Sequence, residues 1–208
     1  NIQLERAQAI RYIRHPWQAL LYGRGTAEHR AWVFVELCRQ EPLPAVLLAV
    51  KPTPDDPAEF WVAAVLIDDA WTLFDTRLGL PLPDEAGDPA SLRQVVARPE
   101  LLDALTVEAS GGQRLEYPVD AESLEEIEAW VIASPLQMSR RAELLENALQ
   151  REAFVRLTAE TEAIAERIAS HEAISSVKLW TKPFEAIVAA RTVDQAVRRR
   201  AGRAFAPF

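Results

Sequence analysis

The sequence predicts an α+β protein: a buried central helix packed on a small antiparallel sheet, followed by a small helical α/β domain. Three observations predict it. Residues 27–40 are apolar nearly all round, through Ala31, Trp32, Val33, Phe34, Val35 and Leu37, as in a helix enclosed by a core. Two apolar runs of strand length follow, Ala45–Val50 and Phe60–Ile67. Ser110-Gly111-Gly112-Gln113 then makes a flexible spacer before a stretch richer in helix formers. The spacer divides the chain into a domain over 1–109, a linker over 110–116 and a second domain over 117–208.

The 208 residues are 49% hydrophobic and 26% charged with a formal net charge of −8, the balance of a globular protein. No apolar run approaches the roughly 18–20 residues of a membrane-spanning helix. The single cysteine, Cys38, excludes an internal disulfide framework and a thiolate zinc cluster. The chain opens on Asn1-Ile2 with no methionine and no signal peptide, so we expect a processed or excised piece of a longer protein. The compartment is left open.

The elements can be justified in order. Residues 2–14 place Ile2, Ala9, Ile10 and Ile13 among charges, a short surface helix. His15-Pro16 breaks it, and Trp17–Tyr22 forms another short helix. Gly23-Arg24-Gly25-Thr26 is a loop ending in an N-cap, Thr26, for the helix Ala27–Gln40, which Pro42 and Pro44 end. Ala45–Val50 is a strand, and 51–57 a proline-rich loop. Phe60–Ile67 and Trp71–Phe74 flank Asp68-Asp69-Ala70 as a tight hairpin. Ser91–Ala97 and Pro99–Leu105 are short helices. Beyond the spacer come helices near Ala121–Ala133 and Gln137–Leu149, a strand Ala153–Leu157, a helix Ala159–Ser170 capped by Thr158, a strand Ser176–Trp180 and a last helix over 184–200.

Charge is uneven. From Pro52 to Glu128 there are 18 acids against 4 Arg, while Arg191, Arg198, Arg199, Arg200 and Arg203 crowd the C-terminal end. A basic tail invites a nucleic-acid reading. An acidic domain without interleaved lysines or stacking aromatics in that tail argues instead for a solvated helix face.

The order of central helix, strand and hairpin, with the residues on it, resembles the transglutaminase-like cysteine hydrolases of papain-like fold. That family shows a Cys at the helix start, an Ala four residues on and an Ile-Pro step into the first strand. Ala27, Ala31 and Leu43-Pro44 stand at those places. A His-Ala-Trp strand start and a Trp four residues before an Asp follow in the family; here they are Glu59-Phe60-Trp61 and the pair Trp71 and Asp75. The match covers about residues 15–80. Gly-Arg-Gly-Thr before the helix, Phe74–Pro81 after the hairpin, and Ser134-Pro135 with Arg140-Arg141 resemble a bacterial subgroup whose longer chains continue into helical repeats.

The same resemblance removes the chemistry. Thiol, base and orienting carboxylate would fall on Ala27, Glu59 and Asp75, and only the carboxylate remains. It implies a non-catalytic, protein-interaction or assembly module with no cofactor and no metal. The alternative is an active cysteine or threonine hydrolase or acyl transferase with a relocated nucleophile. Cys38 lies about 16 Å further along the helix, at the end where the dipole disfavours a thiolate, and reads as a core residue. Thr26 needs a base and reads as an N-cap. His29 lies about 200° round from Ala27 and reads as facing away.

Other candidates are weaker. Glu59 and Asp75 could pair as an acid/base or cation site, or Glu59 could simply face water. His15, His29 and His171 lack ligand spacing. Gly23-Arg24-Gly25-Thr26 lacks the Gly-Lys-Ser/Thr ending of a phosphate loop. Trp32, Trp61 and Trp71 are expected in the core, and Trp17, Trp130 and Trp180 at element edges. Trp180, Lys182, Phe184 and Trp130 are the candidate partner-facing residues, with self-association also open.

Overall fold

The computed structural model describes residues 2–4, 15–109, 113–150, 154–185, 187–188, 191 and 195. The elements in chain order are β1 (Gln3–Leu4), α1 (Pro16–Tyr22), β2 (Arg24–Gly25), α2 (Ala27–Gln40), β3 (Ala45–Val50), β4 (Glu59–Ile67), β5 (Ala70–Asp75), β6 (Leu80–Pro81), α3 (Leu92–Ala97), a 3₁₀ helix (Pro99–Leu105), β7 (Val107–Ala109), β8 (Gln113–Leu115), β9 (Ile127–Val131), α4 (Arg140–Leu149), α5 (Thr161–Ala169) and β10 (Ile174–Leu179). This is an α+β architecture, but its sheet is neither small nor purely antiparallel. Six strands run in the order β10-β9-β3-β4-β5-β6, with β10 parallel to β9 and the other pairs antiparallel.

Alternation along the strands builds two cores. Ala45, Leu47, Ala63 and Val65 face Ala31, Trp32, Val35 and Cys38 of α2. Val46, Leu48, Val62 and Ala64 face the opposite side, where Leu92 and Val95 of α3, Leu102 and Ile168 of α5 close over them. The sheet is thus the middle layer between α2 and a second set of helices. Within 31–40 only Leu37 is exposed, so α2 is the enclosed helix its composition predicts. The hairpin turn falls on Asp68 and Asp69, with φ of 48° and 62°, left-handed conformations that short polar side chains tolerate.

Beyond the spacer the structure departs from expectation. The helix expected over Ala121–Ala133 is a 3₁₀ turn at Ser123–Glu125 followed by strand β9. Ile127, Ala129 and Val131 are buried in alternation, the period of a strand, beneath a run of glutamates that looks helical. Strand β9 pairs with β3, so residues on both sides of the spacer share one sheet and one core rather than a second α/β sheet forming after it. Residues 110–112 of the expected linker lie outside the described residues.

The strand expected over Ala153–Leu157 is irregular from 154 onward. Side chains satisfy its backbone in place of a ladder: Arg156 exchanges two bonds with Gln40, and Leu157 and Thr158 donate to Glu146. Thr158 therefore does not cap α5, whose N-cap position is Glu160. The helix expected over 137–149 begins at Arg140, with Ser139 as its cap. Residues 5–14 of the first expected helix lie outside the described residues, as does most of 184–200.

Candidate functional site

The head of α2 is closed by a reciprocal capping box. Thr26 Oγ1 accepts the His29 backbone N–H at 3.3 Å, and His29 Nδ1 accepts the Thr26 backbone N–H at 3.1 Å. The same Nδ1 lies 2.9 Å from Thr26 Oγ1. Both residues are buried. A Cβ at Gly25 would stand 2.8 Å from His29 Cβ, so this glycine serves close packing of the loop on the helix. The imidazole is folded back onto its own helix start, not turned away as its helical angle suggests. Cys38 sits among the core residues at the other end of α2, and burial pushes its thiol up to about 11.

Strand β4 carries a bulge that decides which way residues 59–61 face. Ala49 pairs with Phe60 and Leu48 with Val62, leaving Trp61 as the extra residue. Phe60 is thereby placed in the α2 core while Trp61 turns to the opposite core. There the Trp61 indole N–H donates to the Tyr117 hydroxyl at 3.1 Å, and that hydroxyl donates to Asp75 Oδ2 at 2.6 Å. Asp75 Oδ1 accepts the backbone N–H groups of Arg77 and Leu78 at 2.6 and 3.2 Å. Asp75 is 1% exposed. Burial, then the Asp75 charge and the hydrogen bond to it, raise the Tyr117 pKa far above the ordinary tyrosine value.

Ala27 and Glu59 both line a cleft of about 1010 Å³ beside α2, on the sheet face that α2 packs against. Asp75 does not line it, so the three positions do not converge. Phe60, Trp130 and Trp180 form its apolar part, and Glu28, Glu59, Glu128, Glu185, Lys51, Arg77, Lys178 and Lys182 its charged part. Thr26 also borders the cleft; His29 and Cys38 do not.

Among the expected partner-facing residues, Trp180 is buried and packs edge-to-face on Trp32 at 5.4 Å. Trp130 is half-buried and donates to Glu128; Lys182 and Phe184 are half-buried. Trp17 is exposed. Among the described residues, no three His, Cys, Asp or Glu side chains stand together as a metal site. No described helix is long and apolar enough to cross a membrane. Arg198, Arg199, Arg200 and Arg203 lie outside the described residues.

Glu28, Glu128, Lys178 and Tyr117 were not singled out by the sequence reading. Only Tyr117 carries a local signal: a tyrosine between Glu116 and Pro118 just after the spacer, which needs a partner if buried. Comparison with family models, with curated proteins and with solved structures finds no match to this chain.

Proposed function

We propose that this chain is a transglutaminase-like module without catalytic activity, which binds a protein partner through the cleft at the head of α2 and belongs to a larger bacterial protein. Support comes from the succession of α2, β3, β4 and β5 in the order of the resemblance, with Ala27 at the helix start. One observation carries the reading. Ala27 and Glu59 open onto the cleft with neither thiol nor imidazole among its lining residues, while the carboxylate that would orient a base is committed to Tyr117.

The test replaces Leu179, an exposed cleft residue, by photo-reactive benzoylphenylalanine in the producing cell. One discrete adduct is expected, absent when the probe stands at exposed Leu136, and rebuilt at fixed stoichiometry from purified components. No adduct at Leu179, or the same adducts from both positions, overturns the reading.

The 2.9 Å contact between Thr26 Oγ1 and His29 Nδ1 favours a second reading, a hydroxyl nucleophile beside a base. The capping box opposes it, because Nδ1 also accepts the Thr26 N–H and Oγ1 accepts the His29 N–H. Amide and ester turnover equal to buffer in both the parent and Thr26→Val removes this second reading. Turnover lost in Thr26→Val establishes it instead.

A further inference from the structure

The pairing of charges in the cleft says what it fits. Lys178 holds Glu128 at 2.6 Å, Lys182 holds Glu185 at 3.7 Å, and Lys51 holds Glu126 at 2.5 Å. Arg77 gives Nη2 to the Phe60 carbonyl at 2.6 Å. Each lining cation therefore already has an oxygen. The side chains of Glu28 and Glu59 have no hydrogen bond or ion pair with any described residue.

Glu28 is also half-buried. Burial raises its pKa, Lys182 opposes the rise, Glu185 and Glu59 reinforce it, and Arg77 opposes it. A carboxylate partly withdrawn from water, with cations near but none in direct contact, behaves in this way.

An anionic ligand would meet these two carboxylates, and of the lining cations only Arg77, bonded to the Phe60 carbonyl, stands outside an ion pair. A cationic ligand breaks nothing and supplies the missing charge. Half-buried Trp130 and exposed Leu179 also line the cleft and offer apolar surface for the methylene stem of a long basic side chain.

Resting on the reading of this chain as a binding module, the geometry points to one occupant: an extended basic segment of a partner protein, laid in the cleft beside α2 with a lysine or arginine side chain directed at Glu28 and Glu59. The interaction is ionic and reversible, with no covalent step.

The experiment measures fluorescence anisotropy of a labelled, capped heptapeptide alternating serine and arginine, titrated with the 208-residue chain. Saturable binding at one peptide per chain is expected, weakening as salt is added. The pair Glu28→Gln and Glu59→Gln weakens it at least tenfold. The thermal midpoint moves little, because neither residue has an ion pair to lose and Glu28→Gln gives up only the modest attraction of an acid to the first turn of α2. The pair Glu100→Gln and Asp103→Asn removes two charges from a different surface and changes affinity less than twofold. The same heptapeptide with glutamate for arginine does not bind.

Equal weakening by both variant pairs would reduce the effect to net charge and overturn the proposal. So would unchanged affinity in the cleft pair, binding of the acidic peptide, or a sedimenting dimer that the cleft pair dissolves. If the basic peptide fails while the probe at Leu179 still captures its single partner, the basic-segment assignment falls and the module reading stands. If the probe also captures nothing, the module reading falls with it.

Discussion

The Tyr117 hydroxyl donates to Asp75 Oδ2 at 2.6 Å across 42 residues of sequence, and so completes the shell of a buried carboxylate. Asp75 then has three donors, one side chain and two backbone N–H groups. Tyr117→Phe removes one of them and leaves the Trp61 indole N–H without its acceptor. The expected cost is about 1–3 kcal/mol, from a buried polar group left unsatisfied, read by urea unfolding. An unchanged midpoint would mean that the bond adds nothing net.

The same tyrosine sets an alkaline limit. Its pKa is raised in the fold, so below the ordinary tyrosine value of about 10 both folded and unfolded chains hold the proton. Above that pH the unfolded chain ionises and the folded one does not, so stability falls as pH rises. Absorbance titration should show one tyrosine that ionises only with unfolding, and Tyr117→Phe should abolish that delayed step. Reversible ionisation of every tyrosine in the intact fold would refute the assignment.

What was legible in the sequence was what local pattern determines. The helix Ala27–Gln40 follows from Thr26 as cap and Pro42 as stop, and β3 from an uninterrupted apolar run. Strand β9 was misread because Glu122, Glu125, Glu126 and Glu128 mask the alternation of Ile127, Ala129 and Val131; its place beside β3 depends on pairing across about 80 residues. The cleft was half legible. Ala27 and Glu59 were singled out in the sequence and both line it, but the bulge at Trp61 and the bond from Tyr117 are long-range facts with no local signature.

Glu146 lies on the otherwise exposed helix α4 and is itself buried. It accepts from the backbone of Leu157 at 2.7 Å and of Thr158 at 2.8 Å, and from the Thr158 hydroxyl at 2.8 Å. Burial acts to raise its pKa, but the bonds from Thr158 and Leu157 and the charge of Arg156 outweigh it, so the net shift is downward. A carboxyl lowered in the fold stabilises above its unfolded pKa of about 4.3 and loses that contribution as pH falls below it. Protection of the Leu157 and Thr158 amides against hydrogen exchange, taken relative to the intrinsic rate at each pH, should therefore fall selectively on acidification. Glu146→Ala should reproduce the loss of protection at pH 7; full protection there in that variant would show that the segment is held by something else.

Burial on the core-facing side of α2 pushes the Cys38 thiol up to about 11. Since the thiolate is the reacting form, native chain at pH 8 should resist a disulfide reagent over hours and react at once in denaturant. Stoichiometric labelling of the native chain would place Cys38 at the surface and reopen it as a nucleophile.

Placing a thiol and an imidazole at the two positions that the resemblance would assign to them should not make a hydrolase. In Ala27→Cys with Glu59→His, the introduced thiol stands at the first turn of α2, where unpaired backbone N–H groups and the helix dipole favour its thiolate. It should be alkylated at pH 7 much faster than Cys38 in the same molecule. The introduced imidazole, however, is denied Asp75 as its orienting carboxylate, because Asp75 lies outside the cleft with one oxygen on Tyr117 and the other on the Arg77 and Leu78 backbone. Adding Glu28→Gln removes the other carboxylate that acts on position 59. Fast labelling with no amide hydrolysis above that of a free thiol is the expected outcome, scored by mass spectrometry and by a chromogenic amide. Turnover with a bell-shaped pH profile that survives Glu28→Gln would instead show that Asp75 can leave Tyr117 and serve a base at position 59.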